Sequence, residues 1–321
     1  MRDYIIRRVL LLIPTLFMVT IIIFFLVRFI PGDVIDLMVQ EMSEEAGQGG
    51  QEMTVAVLRH SLGLDVPVHV QYVRWLSRIV QGDLGQSLWT QRSISEDIMN
   101  RLPVSFELAF LAIIIKLLIA LPIGVWSAIR QDTASDYFGR SLAIVFISVP
   151  SFWIATMVIV YPSIWWTWSP SMEYIPLVKD PIGNLGQFIL PAFIMGMSAS
   201  GTTMRMTRTM MLEVLRQDYI RTAWAKGLNE RTVVVRHALK NALIPVVTVI
   251  GLQMPILISG SVVLESIFAL PGLGRLMIEA INQRDYTVIS GINVVVASFI
   301  LIVNLLVDLT YGFLDPRIHY K

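Results

Sequence analysis

Eight lysines and arginines fall between Arg205 and Lys240 in a chain of which only 15% is charged. Five of them lie in the stretch RTAWAKGLNERTVVVRHALKNALIPVV, residues 221–247, interspersed with alanines and one glycine. Cations of this kind make charge-assisted hydrogen bonds to carboxylates or phosphates. Arg221 and Lys226 would supply such bonds at a rim, Trp224 an anchor, and Ala223 and Ala225 a profile small enough to enter a partner's groove. The competing chemistry is a basic strip lying on anionic headgroups, which needs a fatty underside. Few large apolar residues occur between 216 and 232, which favours a protein partner.

Two further ionisable residues sit inside apolar runs: Lys116 near the middle of the second and Asp308 in the inner half of the sixth. Charges at membrane depth are costly and point to function by default. Three readings stand: the two pair with each other, Lys116 faces a wet pathway, or each is structural, with the lysine reaching toward water. The fifth apolar run carries Pro245, Gly251, Pro255 and Gly260, with Thr248, Gln253 and Ser259 among them. Pro255 removes the hydrogen bond to the carbonyl of Gly251, and Pro245 the one to Asn241. Interrupted backbone at this depth is tolerated where it is buried in protein or lines water. Gln253, Pro255, Ser259 and Lys116 are therefore candidates for a translocation path; a kink absorbed by neighbouring helices is the alternative.

Catalytic constellations are missing. No phosphate-cradling G-x-x-x-x-G-K-[ST] loop, G-x-S-x-G elbow or H-E-x-x-H helix occurs. There is no cysteine, and His60, His69, His237 and His319 are scattered, so neither a metal nor another cofactor is expected. A net charge of +1 carries no nucleic-acid signal. The expectation is a non-catalytic chain.

The elements that must position these residues are apolar. The 321 residues are 55% hydrophobic with a mean hydropathy of +0.66. Crossing a bilayer takes roughly 20 apolar helical residues, and six runs qualify, at about 9–30, 103–129, 139–163, 187–207, 242–263 and 291–313. An all-α membrane protein follows, divided into a tail and first span (1–30), an outer loop region (31–102) and a transmembrane core (103–321) with a charged loop at 208–241. The first run is too long for a cleaved signal and no small-residue cleavage site follows it. Segments on the N-terminal side of the membrane hold fifteen lysines and arginines against eight on the other, which places both termini in the cytoplasm.

Within the outer region, EMSEEAGQGGQE reads as a flexible excursion and GDLGQS as a turn. Val70, Val73, Leu76, Ile79 and Val80 recur at helical spacing, as on an amphipathic helix packed on the bundle's rim. Trp165, Trp166 and Trp168 mark a membrane interface. Methionines at 195–211 suit gap filling, and small residues from Gly196 to Gly201 suit close helix approach. In the charged loop, Asp218 to Lys226 forms a short helix, Gly227 takes the left-handed stop and Asn229 caps the next helix.

QDYIRTAWAKGLNERTVVVRHALKNALIPVV resembles the cytoplasmic EAA-type loop of ABC importer permeases, in the longer form of the peptide and nickel branch. IIRRVLLLIPTLFMVTIIIFFLVRFIPGD, SLGLDVPVHVQYVRWLSRIVQGDLGQSL, RLPVSFELA, SVPSFWIA, LPGLGRLMIEAINQRDY and LVDLTYGFLDPRIHY resemble that branch in the same order, nearest to the B-type subunits of dipeptide and oligopeptide permeases. The resemblance implies six transmembrane helices in the type I importer arrangement. It implies a multi-pass protein of the inner membrane that forms half of a peptide path. The implied partners are a second permease, two ATP-binding subunits and an extracytoplasmic substrate-binding protein. It also implies that Asp218, Tyr219, Arg221, Thr222, Ala223, Lys226 and Gly227 form the coupling helix that docks the ATPase. Arg221 stands where the general motif has glutamate, as is common in the peptide branch. Val34 replaces a common proline after PGD. A nickel-chelate or other small-solute importer is the alternative. A secondary transporter is disfavoured by the few mid-membrane charges and the lack of repeats.

Overall fold

The computed structural model describes residues 2–28, 65–171 and 173–314; the excursion at 41–52 lies outside them. The helices are α1 (Arg2–Arg28), α2 (Val68–Val80), α3 (Ile94–Ile129), α4 (Ala134–Ser148), α5 (Ser151–Trp166), α6 (Pro181–Leu215), α7 (Asp218–Ala225), α8 (Lys240–Ile267), α9 (Leu273–Asn282) and α10 (Tyr286–Leu314). No strand occurs among the described residues, only a single bridge between Gln86 and Ser93.

Four described helices are long and apolar enough to cross a membrane, and five spans result if α4 and α5 count as one. α8 has 28 residues, a length of about 42 Å at 1.5 Å per residue, so six spans are compatible with the fold. The third expected span, 139–163, is not one straight helix. α4 and α5 meet at an 86° bend, because Pro150 lacks an N–H and pushes Val149 into extended backbone (φ −91°, ψ 120°). Conversely, α8 runs unbroken through Pro245 and Pro255. The irregular backbone lies just before it, in a wide π-helical turn at Val233–Leu239.

Contacts divide the chain into two units. The first comprises Met1–Ile5, Leu102–Arg275 and Ile302–Lys321. In it α6 starts at Asp180, whose side chain accepts hydrogen bonds from the N–H groups of Ile182 and Gly183 ahead of Pro181, as first helical turns favour. Small residues then let α6 touch its neighbours' backbones. A Cβ at Gly196 would lie 2.6 Å from the carbonyl oxygen of Ala112 on α3, and one at Gly201 would lie 2.5 Å from that of Ala143 on α4. Met195, Met204 and Met211 are buried as the expected gap fillers.

The second unit comprises Ile6–Arg101 and Leu276–Leu301. Here α2 packs on α1 through aromatic rings: Tyr72 and Trp75 lie 5.1 Å and 5.5 Å from Phe24, centroid to centroid, and the Thr20 and Tyr72 hydroxyls are 3.0 Å apart. The amphipathic helix is present, but its packed face differs from the expected valines, since Val73 and Val80 are exposed. The turn at 82–87 is held by Gly82 and Gly85 at φ +81° and +90°.

Candidate functional site

α7 is built by local signals. Leu215 ends α6, Gln217 is extended, and Asp218 places a carboxylate in the first turn of the new helix, where the helix dipole favours it. At the other end Gly227 adopts φ +77°. Its N–H donates to the carbonyl of Trp224 at 2.9 Å, and that of Leu228 donates to Ala223 at 3.4 Å. This is the paired closure that a left-handed residue after a helix makes possible. Asn229 then accepts from the Thr232 N–H at 2.9 Å and restarts the chain toward α8. The expected helix, stop and cap are all in place.

The two faces of α7 differ in fate. Ile220 and Ala223 are buried, packed with Ala128, Met211, Val233, Val234, Ala238 and Ala242. The π-helical turn delivers three of those residues. Asp218, Tyr219, Arg221, Thr222, Trp224, Ala225, Lys226 and Gly227 are exposed. Of the residues expected to touch a partner, Ala223 is the one that the chain itself buries. Three positions after Ile220, it shares that residue's face and faces the chain's own core. Tyr219 is steadied by Asn241, whose amide donates to its hydroxyl at 2.8 Å. The Arg221–Asp218 pair, 3.4 Å apart, is exposed and adds little stability.

The path candidates are partly brought together. Lys116 has no exposed surface, and its ammonium donates to the side-chain oxygen of Gln253; the Thr203 hydroxyl lies 3.4 Å from the same oxygen. Lys116 is thus an interhelical tie among α3, α6 and α8 in this conformation. The side chains of Pro255, Ser259 and Asp308 lie outside the described residues.

Three buried carboxylates went unnoticed in the sequence. Asp136 is bound through both oxygens by Arg208 at 2.6 Å and 2.7 Å. Glu265 accepts from the Ser105 hydroxyl at 2.7 Å and from the Gly274 N–H at 2.7 Å, so it caps α9. A Cβ at Gly272 would strike that carboxylate. Asp285 accepts from the Ser87 hydroxyl at 2.7 Å and the Leu88 N–H at 3.0 Å. The available signal was a lone acid beside a mainly apolar stretch, but the partners of Asp136 and Asp285 are 72 and 198 residues away.

A bundle of long apolar helices, joined by a short helix with one buried and one exposed face, has the build of a multi-pass membrane protein. Residues 120–320 match the family described as "Binding-protein-dependent transport system inner membrane component", and residues 1–109 match its N-terminal counterpart. The chain belongs to this family and is a permease subunit of an ABC importer. It is similar to the oligopeptide transport system permease protein AppB of Bacillus subtilis (strain 168), 39% identical over 323 residues with all of both chains covered. It is also similar to the dipeptide transport system permease protein DppB of Escherichia coli (strain K12), 38% identical over 344 residues, again with full coverage. A solved inward-facing structure of the MetNI methionine ABC transporter shares the fold. Its TM-score is 0.54 at 16% identity, with 68% of this chain and 96% of that one covered.

Proposed function

We propose that this permease carries peptides across the inner membrane as one half of a two-permease path, driven by cytoplasmic ATPases that grip α7. The observation that carries the reading is the division of α7 into an exposed polar face and a face locked into the chain's own core. A rigid crossbar of this kind passes on a displacement rather than absorbing it, because packed elements move as units. The peptide cargo is supported by the full-length similarity to the AppB and DppB permeases.

In this reading both termini and α7 face the cytoplasm, where the lysines and arginines concentrate. The partners are a second, related permease, two ATP-binding subunits and an extracytoplasmic binding protein that delivers the peptide. Asp218, Tyr219, Arg221, Thr222, Lys226 and Gly227 form the docking surface, and Ala223 holds it from beneath. The path is assigned to the stretch of α8 from Gln253 through Pro255 to Ser259, with Lys116, which donates to Gln253, beside it.

The test is Gly227→Val. A β-branched residue at φ +77° is a backbone outlier, while a Cβ there meets no neighbouring atom within 4 Å. Uptake of a radiolabelled dipeptide is expected to vanish with membrane insertion unchanged; normal uptake would refute the role of α7.

A further inference from the structure

Asp136 is a convergence point. It lies in the first turn of α4 and has no exposed surface. Arg208 on α6 approaches it side-on, with Nε donating to Oδ1 at 2.7 Å and Nη2 to Oδ2 at 2.6 Å. The hydroxyl of Ser127, two residues before the end of α3, donates to Oδ1. The backbone N–H of Asp132, in the turn between α3 and α4, donates to Oδ2 at 3.0 Å. One carboxylate therefore joins the end of α3, the following turn, the start of α4 and the last third of α6. Two parallel bonds from a guanidinium fix orientation as well as distance, which a lysine in the same place would not do.

The pair also adjoins the seat of α7. Ala128, next to Ser127, and Met211, one turn beyond Arg208, both belong to the buried cluster that receives Ile220 and Ala223. One turn the other way, α3 and α6 are in backbone contact: a Cβ at Gly124 would lie 2.9 Å from the carbonyl oxygen of Met204. Two of the helices that form the floor under α7, α3 and α6, are thus pinned together by the Asp136 carboxylate.

We infer that the Asp136–Arg208 pair is a coupling strut: it makes the ends of α3, α4 and α6 one body beneath α7, so that force applied to α7 moves these helices together. Both residues are positioning residues. Neither needs to touch ATPase or cargo. The inference rests on α7 being the ATPase dock. If the strut is released while the dock survives, ATP is still hydrolysed but the spans no longer follow.

The complete transporter is reconstituted in liposomes with Asp136→Asn, Arg208→Lys and the double change Asp136→Asn with Arg208→Gln. Three quantities are read: co-purification of the ATPases, ATP hydrolysis, and dipeptide imported per ATP. The expected result is intact assembly, hydrolysis within about twofold of wild type, and import per ATP lowered about tenfold in Asp136→Asn, within the range of ordinary coupling energies. The double change is expected to recover part of that loss, because it leaves no buried charge unpaired. If Asp136→Asn does not accumulate, Arg208→Lys keeps the charge and is expected to lower import per ATP on its own. Unchanged import per ATP in an assembled transporter overturns the strut, and so does loss of the ATPases from the Asp136→Asn complex. Failure of the α7 reading appears separately, as ATPases that assemble on wild type without contacting α7.

Discussion

Asp136 and Asp285 are both buried, at 0% and 1% exposure, and both stand at the start of a helix, yet they are satisfied differently. Asp285 caps α10: its Oδ1 accepts from the Val288 N–H at 3.2 Å, and its Oδ2 takes the Ser87 hydroxyl and the Leu88 N–H. The Trp89 indole closes the same clasp by donating to the Gln283 carbonyl at 2.7 Å. Among the described residues no cation pairs with Asp285. Its negative charge is met by neutral donors and a helix N-terminus, a clasp that fixes a turn in one position. Asp136 is met by a guanidinium on α6, ten positions before α7 begins. A buried ion pair of this kind is weak evidence of stability for its own sake, since well-packed apolar residues often do as well. Its better-supported uses are register and switching. The contrast assigns static holding to the Asp285 site and transmission to the Asp136 site.

Removal of each clasp breaks or sharpens that contrast. Arg208→Leu leaves Asp136 as a buried, unpaired carboxylate and should destabilise the chain by about 3–5 kcal/mol. Thermal unfolding of the detergent-solubilised complex would read this as a lowered midpoint, and a midpoint equal to wild type would mean the pair is not buried in the assembly. Asp285→Ala strands only neutral donors and should cost about 1–3 kcal/mol, a smaller shift by the same method. It should leave dipeptide imported per ATP unchanged among folded molecules. A lower ratio in Asp285→Ala would erase the distinction between the two regions.

The parts of this molecule that follow from neighbouring residues were readable in its sequence. Asp218, Gly227 and Asn229 announce the crossbar because a first-turn carboxylate, a left-handed stop and an amide cap all act within a few residues. The 3.6-residue period does not say which face a helix buries when both faces carry small or aromatic groups, so the burial of Ala223 was not legible. Val149–Pro150 contained the bend between α4 and α5, but the apolar run continues across it and reads as one span. For Lys116 the sequence left three readings open, and none of them named the amide of Gln253, to which its ammonium donates. Arg208 was read only for the sidedness of the loops, and Asp136 was not singled out. Partners so far apart in sequence are set by helix packing, which no local spacing records.

In the proposed function, α7 takes force from an ATPase. The chain has no cysteine, so Thr222→Cys places a single thiol on the exposed face of α7 without disturbing Ile220 or Ala223. Cross-linking from that thiol in the complete transporter, with and without ATP, is the most direct measurement. The expected result is a covalent product with the ATP-binding subunit in both conditions, and protection of the thiol from a membrane-impermeant reagent added outside intact cells. A thiol that reacts from outside, or that never joins the ATPase in an assembled and active transporter, would contradict it.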